Sequence, residues 1–162
     1  MVAQVAKGCG ATVIMAGLTN DAERFKIAKE CGIDVTVDQM TQDLKSIVME
    51  MTNNEGADKC FECSGAVAAN TALDLCRRKG TVVQMGVFSK SKVEICTDWI
   101  LHKEINYVGS RSQKPSSWVK ALELMADGKV VPEKTAKNFV TLENWRDGFD
   151  RMAKGEGAKW VI

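Results

Sequence analysis

Residues 56–66 read GADKCFECSGA and residues 79–87 read KGTVVQMGV, and the pattern that these two stretches share decides the fold. Each is a short β-type run that ends in a glycine-containing turn, and a helical pattern from Ala66 to Arg78 separates them. A β-type run, a helix and a second β-type run at this spacing are typical of a βαβ unit, whose strands are parallel. The two stretches therefore predict neighbouring parallel strands joined by a crossover helix.

The same unit repeats along the chain. β-type runs begin at intervals of 23 or 24 residues, near Thr12, Val35, Asp58, Thr81 and Ile105. The spacing of apolar residues predicts helices between the first runs, over 21–31 and 41–51, and after the last run, over 115–127 and 142–153. The closing residues KWVI predict a final strand. We expect one α/β nucleotide-binding domain over residues 1–162, with a doubly wound parallel sheet.

The composition excludes several classes of partner. The chain has 22 Lys and Arg against 21 Asp and Glu, so its net charge of +1 indicates no nucleic-acid surface. Its apolar stretches are far shorter than the roughly 20 residues that span a bilayer, and no signal-peptide pattern is present. The six cysteines fall mostly in apolar segments, where reduced, buried cysteines act as small hydrophobes. We expect a cytoplasmic protein with neither a nucleic-acid nor a membrane partner.

The pair Cys60-x-x-Cys63 is a weak candidate for a metal site. A zinc site needs about four ligands, usually two such pairs or nearby histidines, and the single histidine, His102, lies 39 residues after Cys63. Residues three apart on a strand also face opposite sides of the sheet. We therefore predict no metal ligand and no catalytic residue in the chain, with His102 on a solvated helix face.

The whole chain resembles the cofactor domain of the zinc-type medium-chain alcohol and polyol dehydrogenases, the family that includes sorbitol dehydrogenase. Beside the two stretches quoted first, the resemblance is carried by QVAKGCGATVIMAG (4–17), ERFKIAKECGIDVTVD (23–38), EINYVGSRSQ (104–113), SWVKALELMADGKV (117–130) and GAKWVI (157–162). It implies a Rossmann-type sheet of strand order 3-2-1-4-5-6 that binds NAD or NADP at its carboxyl edge. It also implies hydride transfer from a small secondary alcohol or polyol, with the catalytic zinc held by a separate domain.

The family's first strand and its G-x-G-x-x-G turn have no counterpart in the chain. We therefore expect a C-terminal fragment of a larger dehydrogenase, inactive alone. The first strand is central in that order, and three explanations stay open: another chain supplies it, the two halves of the sheet close up, or further residues precede Met1. A non-catalytic Rossmann module used in interaction or assembly is the alternative function. A methyltransferase-type domain is disfavoured by the SGA and QMGV turns.

The resemblance also implies where the cofactor lies. Gly17 stands where the family usually has an acidic residue that binds the adenosine ribose, which favours NADP over NAD, and Arg24 would contact a phosphate or the adenine. The alternative for Arg24 is an ordinary position on a helix surface. The full set of expected cofactor-binding residues is Gly17, Arg24, Cys63, Ser64, Gly65, Met85, Gly86, Val87, Ser110, Arg111 and Ser112.

Two further expectations follow from the resemblance. A substrate-binding arginine of the polyol dehydrogenases aligns with Ser112, while Arg111 lies one residue early, which leaves the identity of the alcohol open. Related enzymes associate through an edge strand of this domain, so we expect a homo-oligomer, a dimer by default, joined through EINYVGS (104–110).

Overall fold

The computed structural model describes residues 1–88 and 92–162, which divide into two compact units. Unit 1 comprises Met1–Leu44 and Lys114–Ile162, and unit 2 comprises Lys45–Gln113. The helices of the described residues are α1 (Val2–Gly8), α2 (Ala22–Glu30), α3 (Leu44–Met51), α4 (Ala66–Leu75), α5 (Thr97–Lys103), α6 (Pro115–Ala126), α7 (Pro132–Thr135) and α8 (Trp145–Ala153). The strands are β1 (Ile14–Gly17), β2 (Val35–Asp38), β3 (Ala57–Glu62), β4 (Cys76–Gln84), β5 (Asn106–Gly109), β6 (Asn138–Phe139) and β7 (Trp160–Val161).

In unit 1, strands β1 and β2 form a parallel pair in which Ile14 lies opposite Val35 and Gly17 lies opposite Asp38. Helix α2 connects the two strands and buries Ile27 and Ala28, as the apolar spacing predicts. A parallel pair needs such a crossover connection, because a tight turn would reverse the chain. The carboxyl ends of both strands therefore lie at one edge of this small sheet.

Unit 2 contains a parallel sheet of order β3-β4-β5. Its core consists of the buried side chains Leu73, Cys76, Val82 and Ile105, which come from α4, β4 and the residue before β5. Removing this apolar surface from water is the main favourable contribution to the stability of the sheet and its helices. The orders β2-β1 and β3-β4-β5 correspond to strands 3-2 and 4-5-6 of the predicted order, and the parallel α/β class is confirmed.

The predicted C-terminal end of the third helix is wrong. The sequence predicted a helix from Ala66 to Arg78, but α4 ends at Leu75, and β4 begins with Cys76, which pairs with Ala57. The Lys103 ammonium donates to the carbonyl oxygens of residues 73, 74 and 76, at 3.1, 2.6 and 3.2 Å. These carbonyls at the end of the helix are thus satisfied by a side chain distant in sequence, and the backbone leaves the helix early.

Short elements near the C-terminus were also not predicted. β6 pairs in parallel with β7, the predicted final strand, and α7 precedes β6. The Val140 amide donates to the Val161 carbonyl at 3.0 Å, which extends the contact beyond the two-residue strands. Elements of two to four residues carry too little periodicity to be recognised in a sequence.

The prediction for the cysteines is only partly correct. All six are free thiols, but Cys76 alone is fully buried, while Cys9, Cys63 and Cys96 are exposed. The thiols of Cys60 and Cys76 share a hydrogen bond, which together with burial raises the pKa of Cys60 far above its ordinary value. His102 is exposed on α5, as predicted.

Across residues 1–88 and 92–162, none of the helices has the length and apolar character needed to cross a membrane.

Candidate functional site

The carboxyl ends of β3, β4 and β5 lie at one edge of the unit 2 sheet, because the three strands are parallel. Each strand runs there into three of the residues that we expected to bind a cofactor: Cys63–Gly65, Met85–Val87 and Ser110–Ser112. We call these nine residues the unit 2 edge. Ligands of open α/β sheets bind outside the carboxyl ends of the strands, so this edge is the candidate site.

A buried carboxylate supports the first turn of the unit 2 edge. Glu62, the last residue of β3, is 2% exposed, and its Oε1 accepts the backbone N–H groups of Ser64 at 2.7 Å and Gly65 at 2.5 Å. The Ser64 hydroxyl donates to the same oxygen at 3.2 Å. Charge-assisted bonds of this kind are stronger than neutral ones, and they hold the turn that opens α4. Glu62 was not predicted as part of the site, although it is the acidic residue of the quoted stretch ECSG.

The second oxygen of this carboxylate, Oε2, is buried and has no hydrogen-bond partner among the described residues. A Cβ on Gly86 would lie 2.6 Å from this oxygen and 2.8 Å from the Gly65 backbone nitrogen. Since real Cβ atoms do not approach so closely, only glycine fits at residue 86 without displacing its neighbours. The turns after β3 and β4 therefore meet backbone to backbone, which leaves their outer face free of side chains at these two glycines.

Polar contacts connect the ends of β4 and β5. The Tyr107 hydroxyl donates to Gln84 Oε1 at 2.8 Å, and the Ser110 amide donates to the Gln84 carbonyl at 2.9 Å. Burial, with the nearby charge of Glu62, raises the pKa of the Tyr107 phenol. The same two causes raise the pKa of the exposed Cys63 thiol.

The outermost residues of the unit 2 edge are open to solvent. Met85, Val87, Arg111 and Ser112 are exposed, and Ser112 adopts a left-handed backbone conformation with φ of 62°. Arg111 and Ser112 lie two and three residues after the end of β5, in the segment where we expected cofactor contacts. The structure places all nine residues at one sheet edge, and their binding role remains a prediction.

The other two expected site residues lie in unit 1. Gly17 is the last residue of β1, and a Cβ on it would lie 2.8 Å from Asp21 Oδ2 and 3.0 Å from Phe25 Cζ. The absence of a carboxylate at residue 17 was the reason for favouring NADP. The Asp21 carboxylate nevertheless lies at this strand end, because the short 3₁₀ turn that precedes α2 places it there.

Arg24 makes specific contacts within unit 1. Its guanidinium donates to Asp21 Oδ1 at 2.6 Å, to the Gly157 carbonyl at 3.2 Å and to the Gly155 carbonyl at 3.4 Å. These bonds tie α2 to a segment more than 130 residues later in the chain. These bonds give Arg24 a structural role in unit 1, and its expected contact with the cofactor stays a prediction.

No metal centre is formed by the part of the chain that the structure describes: it brings together no group of three or more His, Cys, Asp or Glu side chains that would hold an ion. Cys60 contacts Cys76 in the core, whereas Cys63 faces outward, so the Cys-x-x-Cys pair does not converge. Cys63 lies one residue beyond the end of β3, in the turn that precedes α4.

Comparison with known proteins identifies the relationship. The family model described as "Zinc-binding dehydrogenase" matches residues 1–127. A D-arabitol-phosphate dehydrogenase of Enterococcus avium is 42% identical over 160 residues, which are 98% of this chain and 46% of that protein. A sorbitol dehydrogenase of Halalkalibacterium halodurans is 43% identical over 163 residues, which are 100% of this chain and 48% of that protein.

Among solved structures, the 2R,3R-butanediol dehydrogenase from Bacillus subtilis superimposes with a TM-score of 0.82 at 25% identity. The match covers 94% of this chain and 44% of that one. The comparison confirms the Rossmann-type class. The chain thus spans about half the length of the curated relatives that it matches.

Proposed function

The chain belongs to the zinc-binding dehydrogenase family, and we propose that residues 1–162 act as a single nicotinamide-dinucleotide-binding domain within an oxidoreductase. The whole protein would transfer a hydride from a small secondary alcohol or polyol to NAD or NADP. Two relatives that align with 98% and 100% of the chain carry the names of polyol-phosphate and polyol dehydrogenases, which supports this substrate class.

The observation that carries the proposal is the close approach of Gly65 and Gly86 over the buried carboxylate of Glu62. A dinucleotide is long and must lie against backbone at several strand ends, which requires turns without projecting side chains. Parallel strands bring such turns to one edge. A Cβ at residue 86 would collide with Glu62 and Gly65 and push the two turns apart, so glycine at this position keeps the strand ends close together.

Each part of the unit 2 edge has a role in this proposal. The backbone of Met85–Val87 and Ser110–Ser112 would orient the nicotinamide, and the Cys63–Gly65 turn would contact the adenosine side. Glu62 holds that turn in place through its bonds to two backbone amides. When bound, the nicotinamide supplies the hydride acceptor at its C4 carbon. The chain contributes binding and orientation, and no side chain of the described residues is assigned a proton transfer.

The residues that the structure describes offer no ligand set for the zinc that the family name implies. We expect the chain alone to be inactive as an alcohol dehydrogenase.

The choice between NAD and NADP is a finer part of the proposal. Gly17 taken alone favours NADP, because residue 17 has no carboxylate to repel a 2′-phosphate. The Asp21 carboxylate, however, lies at the same strand end, 2.8 Å from where a Cβ on Gly17 would be. We further propose a cytoplasmic location and a homo-oligomer joined through β5, which is an edge strand of the unit 2 sheet.

Titration of the 162-residue chain with NADH tests the binding proposal. We expect saturable binding, followed by NADH fluorescence and by calorimetry, that excess ADP-ribose reverses because it competes for the adenosine side. With NAD⁺ and sorbitol or D-arabitol phosphate, we expect no absorbance increase at 340 nm. Absence of saturation by either NADH or NADPH at millimolar concentration would contradict the proposal and favour a module used in assembly.

A further inference from the structure

Asp21 places a carboxylate over the end of β1, in the space that a side chain at residue 17 would occupy. A Cβ on Gly17 would lie 2.8 Å from Asp21 Oδ2, and the Phe25 ring closes the same space at 3.0 Å. An acidic side chain at residue 17 and the present position of Asp21 are therefore mutually exclusive. Glycine at residue 17 is what lets the carboxylate of residue 21 reach the strand end.

Two hydrogen bonds fix this carboxylate. Its Oδ2 accepts the Leu18 backbone N–H at 3.0 Å, and its Oδ1 accepts the Arg24 guanidinium at 2.6 Å. The Asp21 side chain keeps 20% of its surface exposed. A carboxylate has about four lone-pair sites, so each oxygen retains one acceptor position after these bonds. The group is thus both fixed in orientation and able to accept two more hydrogen bonds.

We propose that Asp21 is a specificity-determining residue that binds the 2′- and 3′-hydroxyls of the adenosine ribose, so that the chain prefers NAD to NADP. This inference rests on the proposed binding of a nicotinamide dinucleotide. The ribose diol offers two neighbouring O–H donors, which match the two remaining acceptor positions. A 2′-phosphate replaces one donor with a dianionic group and meets the carboxylate with like charge.

The surroundings of Asp21 strengthen the discrimination against a 2′-phosphate. A second carboxylate, Asp38, ends the neighbouring strand β2 and accepts the Thr19 hydroxyl at 2.8 Å. Arg24, which donates to the Asp21 carboxylate, also donates to the Gly155 and Gly157 carbonyls. Binding a phosphate through Arg24 would require breaking these bonds, whereas binding a diol leaves them intact.

The test compares the dissociation constants of NADH and NADPH for the wild-type chain and for Asp21→Asn. The substitution removes the charge but keeps the shape and an acceptor for the Leu18 amide. Glu23→Gln is the matched control, because it removes an exposed carboxylate from the first turn of the same helix. We expect wild type and Glu23→Gln to bind NADH about tenfold or more tightly than NADPH, and Asp21→Asn to reduce this ratio to about threefold or less. Circular dichroism reports whether each variant is folded.

Each outcome separates the two proposals. If both dinucleotides bind and wild type prefers NADPH, the inference about Asp21 is overturned while the proposed function stands. The same holds if Asp21→Asn leaves the ratio unchanged. If Asp21→Asn does not fold, the wild-type preference and the variant Asp21→Ser decide the matter. If neither dinucleotide binds to wild type, the proposed function fails, and the inference about Asp21 fails with it.

Discussion

Gly86 lies directly against the buried carboxylate of Glu62, so that a Cβ on this glycine would be 2.6 Å from Glu62 Oε2. The other oxygen of the same carboxylate accepts the Gly65 amide at 2.5 Å. The turns that follow β3 and β4 therefore lie close together because the Glu62 side chain bonds one of them and because Gly65 and Gly86 have no side chains to separate them. We expect dinucleotide binding at the unit 2 edge to depend on this arrangement.

Gly86→Ala should destabilise the chain and weaken dinucleotide binding. The added methyl group would meet a carboxylate oxygen and the backbone of Gly65, and backbone has little freedom to move away. Overpacking of this kind costs about 1–3 kcal/mol of unfolding free energy. Urea unfolding followed by circular dichroism measures the loss, and NADH titration measures the binding.

Gly109→Ala is the matched control for Gly86→Ala. It lies at the end of the adjacent strand β5, and a Cβ there would meet no atom within 4 Å. We expect its unfolding free energy to stay within about 0.5 kcal/mol of wild type, as for ordinary surface substitutions. Equal effects of the two substitutions would show that crowding at Glu62 is not the cause.

Much of the fold follows from the sequence, because apolar runs and helices alternate at a constant interval. The strand beginning at Val35 and the helix beginning at Ala66 lie where the pattern predicts them. The early end of α4 was not predictable, since the carbonyl oxygens at this end accept hydrogen bonds from the Lys103 ammonium, which lies almost 30 residues later in the chain. Local propensity cannot report such tertiary contacts.

The candidate site, like the fold, is predictable from the sequence only in part. Placing Cys63–Gly65 and Met85–Val87 at one edge needs only the parallel order of the strands. The roles of Glu62 and Asp21 depend on where a side chain points after a turn, which spacing does not reveal. Asp21 follows Gly17 by four residues and reaches back over it through a short 3₁₀ turn. An acidic residue one turn after a strand-end glycine is the signal that would have found it.

Acid should remove a contribution that Asp34 makes to the stability of unit 1. Its carboxylate binds the Lys7 ammonium and the Val13 amide, and these contacts lower the pKa of Asp34 in the folded chain. A lowered folded pKa gives stabilisation that is present at neutral pH and is lost as the pH falls through that pKa. We expect Asp34→Asn to be less stable than wild type at pH 7, with the difference shrinking below about pH 4.

Thermal unfolding between pH 3 and pH 7 measures this difference, and Glu23→Gln controls for the loss of an exposed negative charge. A gap between Asp34→Asn and wild type that stays constant over the whole range would refute the assignment.

The thiol of Cys63 should react slowly with alkylating reagents at neutral pH. Burial and the charge of Glu62 raise its pKa, and the thiolate is the reactive form. We expect the midpoint of its alkylation rate to lie at higher pH than that of glutathione, by mass spectrometry of the peptide containing residue 63. Saturating NADH should slow the reaction further, because Cys63 belongs to the unit 2 edge. A midpoint at or below that of glutathione would contradict the pKa argument, and unchanged rates with NADH would count against the site.

Val108→Pro should dissociate a dimer joined through β5. Val108 is 47% exposed on this edge strand, and proline there disrupts the regular strand on which an intermolecular sheet would be built. Val108→Thr keeps the N–H and a β-branched side chain, so it should leave the dimer intact. Light scattering gives the mass of each variant, with circular dichroism as the check on folding. An unchanged mass for folded Val108→Pro would exclude this strand as the interface.

The central claim is that a nicotinamide dinucleotide binds along the carboxyl ends of the strands. Hydrogen–deuterium exchange of the 162-residue chain with and without saturating NADH tests it most directly. We predict slower exchange in peptides that contain residues 17–24, 63–65, 85–87 and 110–112, with little change in α6 and α8. Exchange that is unchanged in all four segments, or that slows only in α6 and α8, would contradict the account.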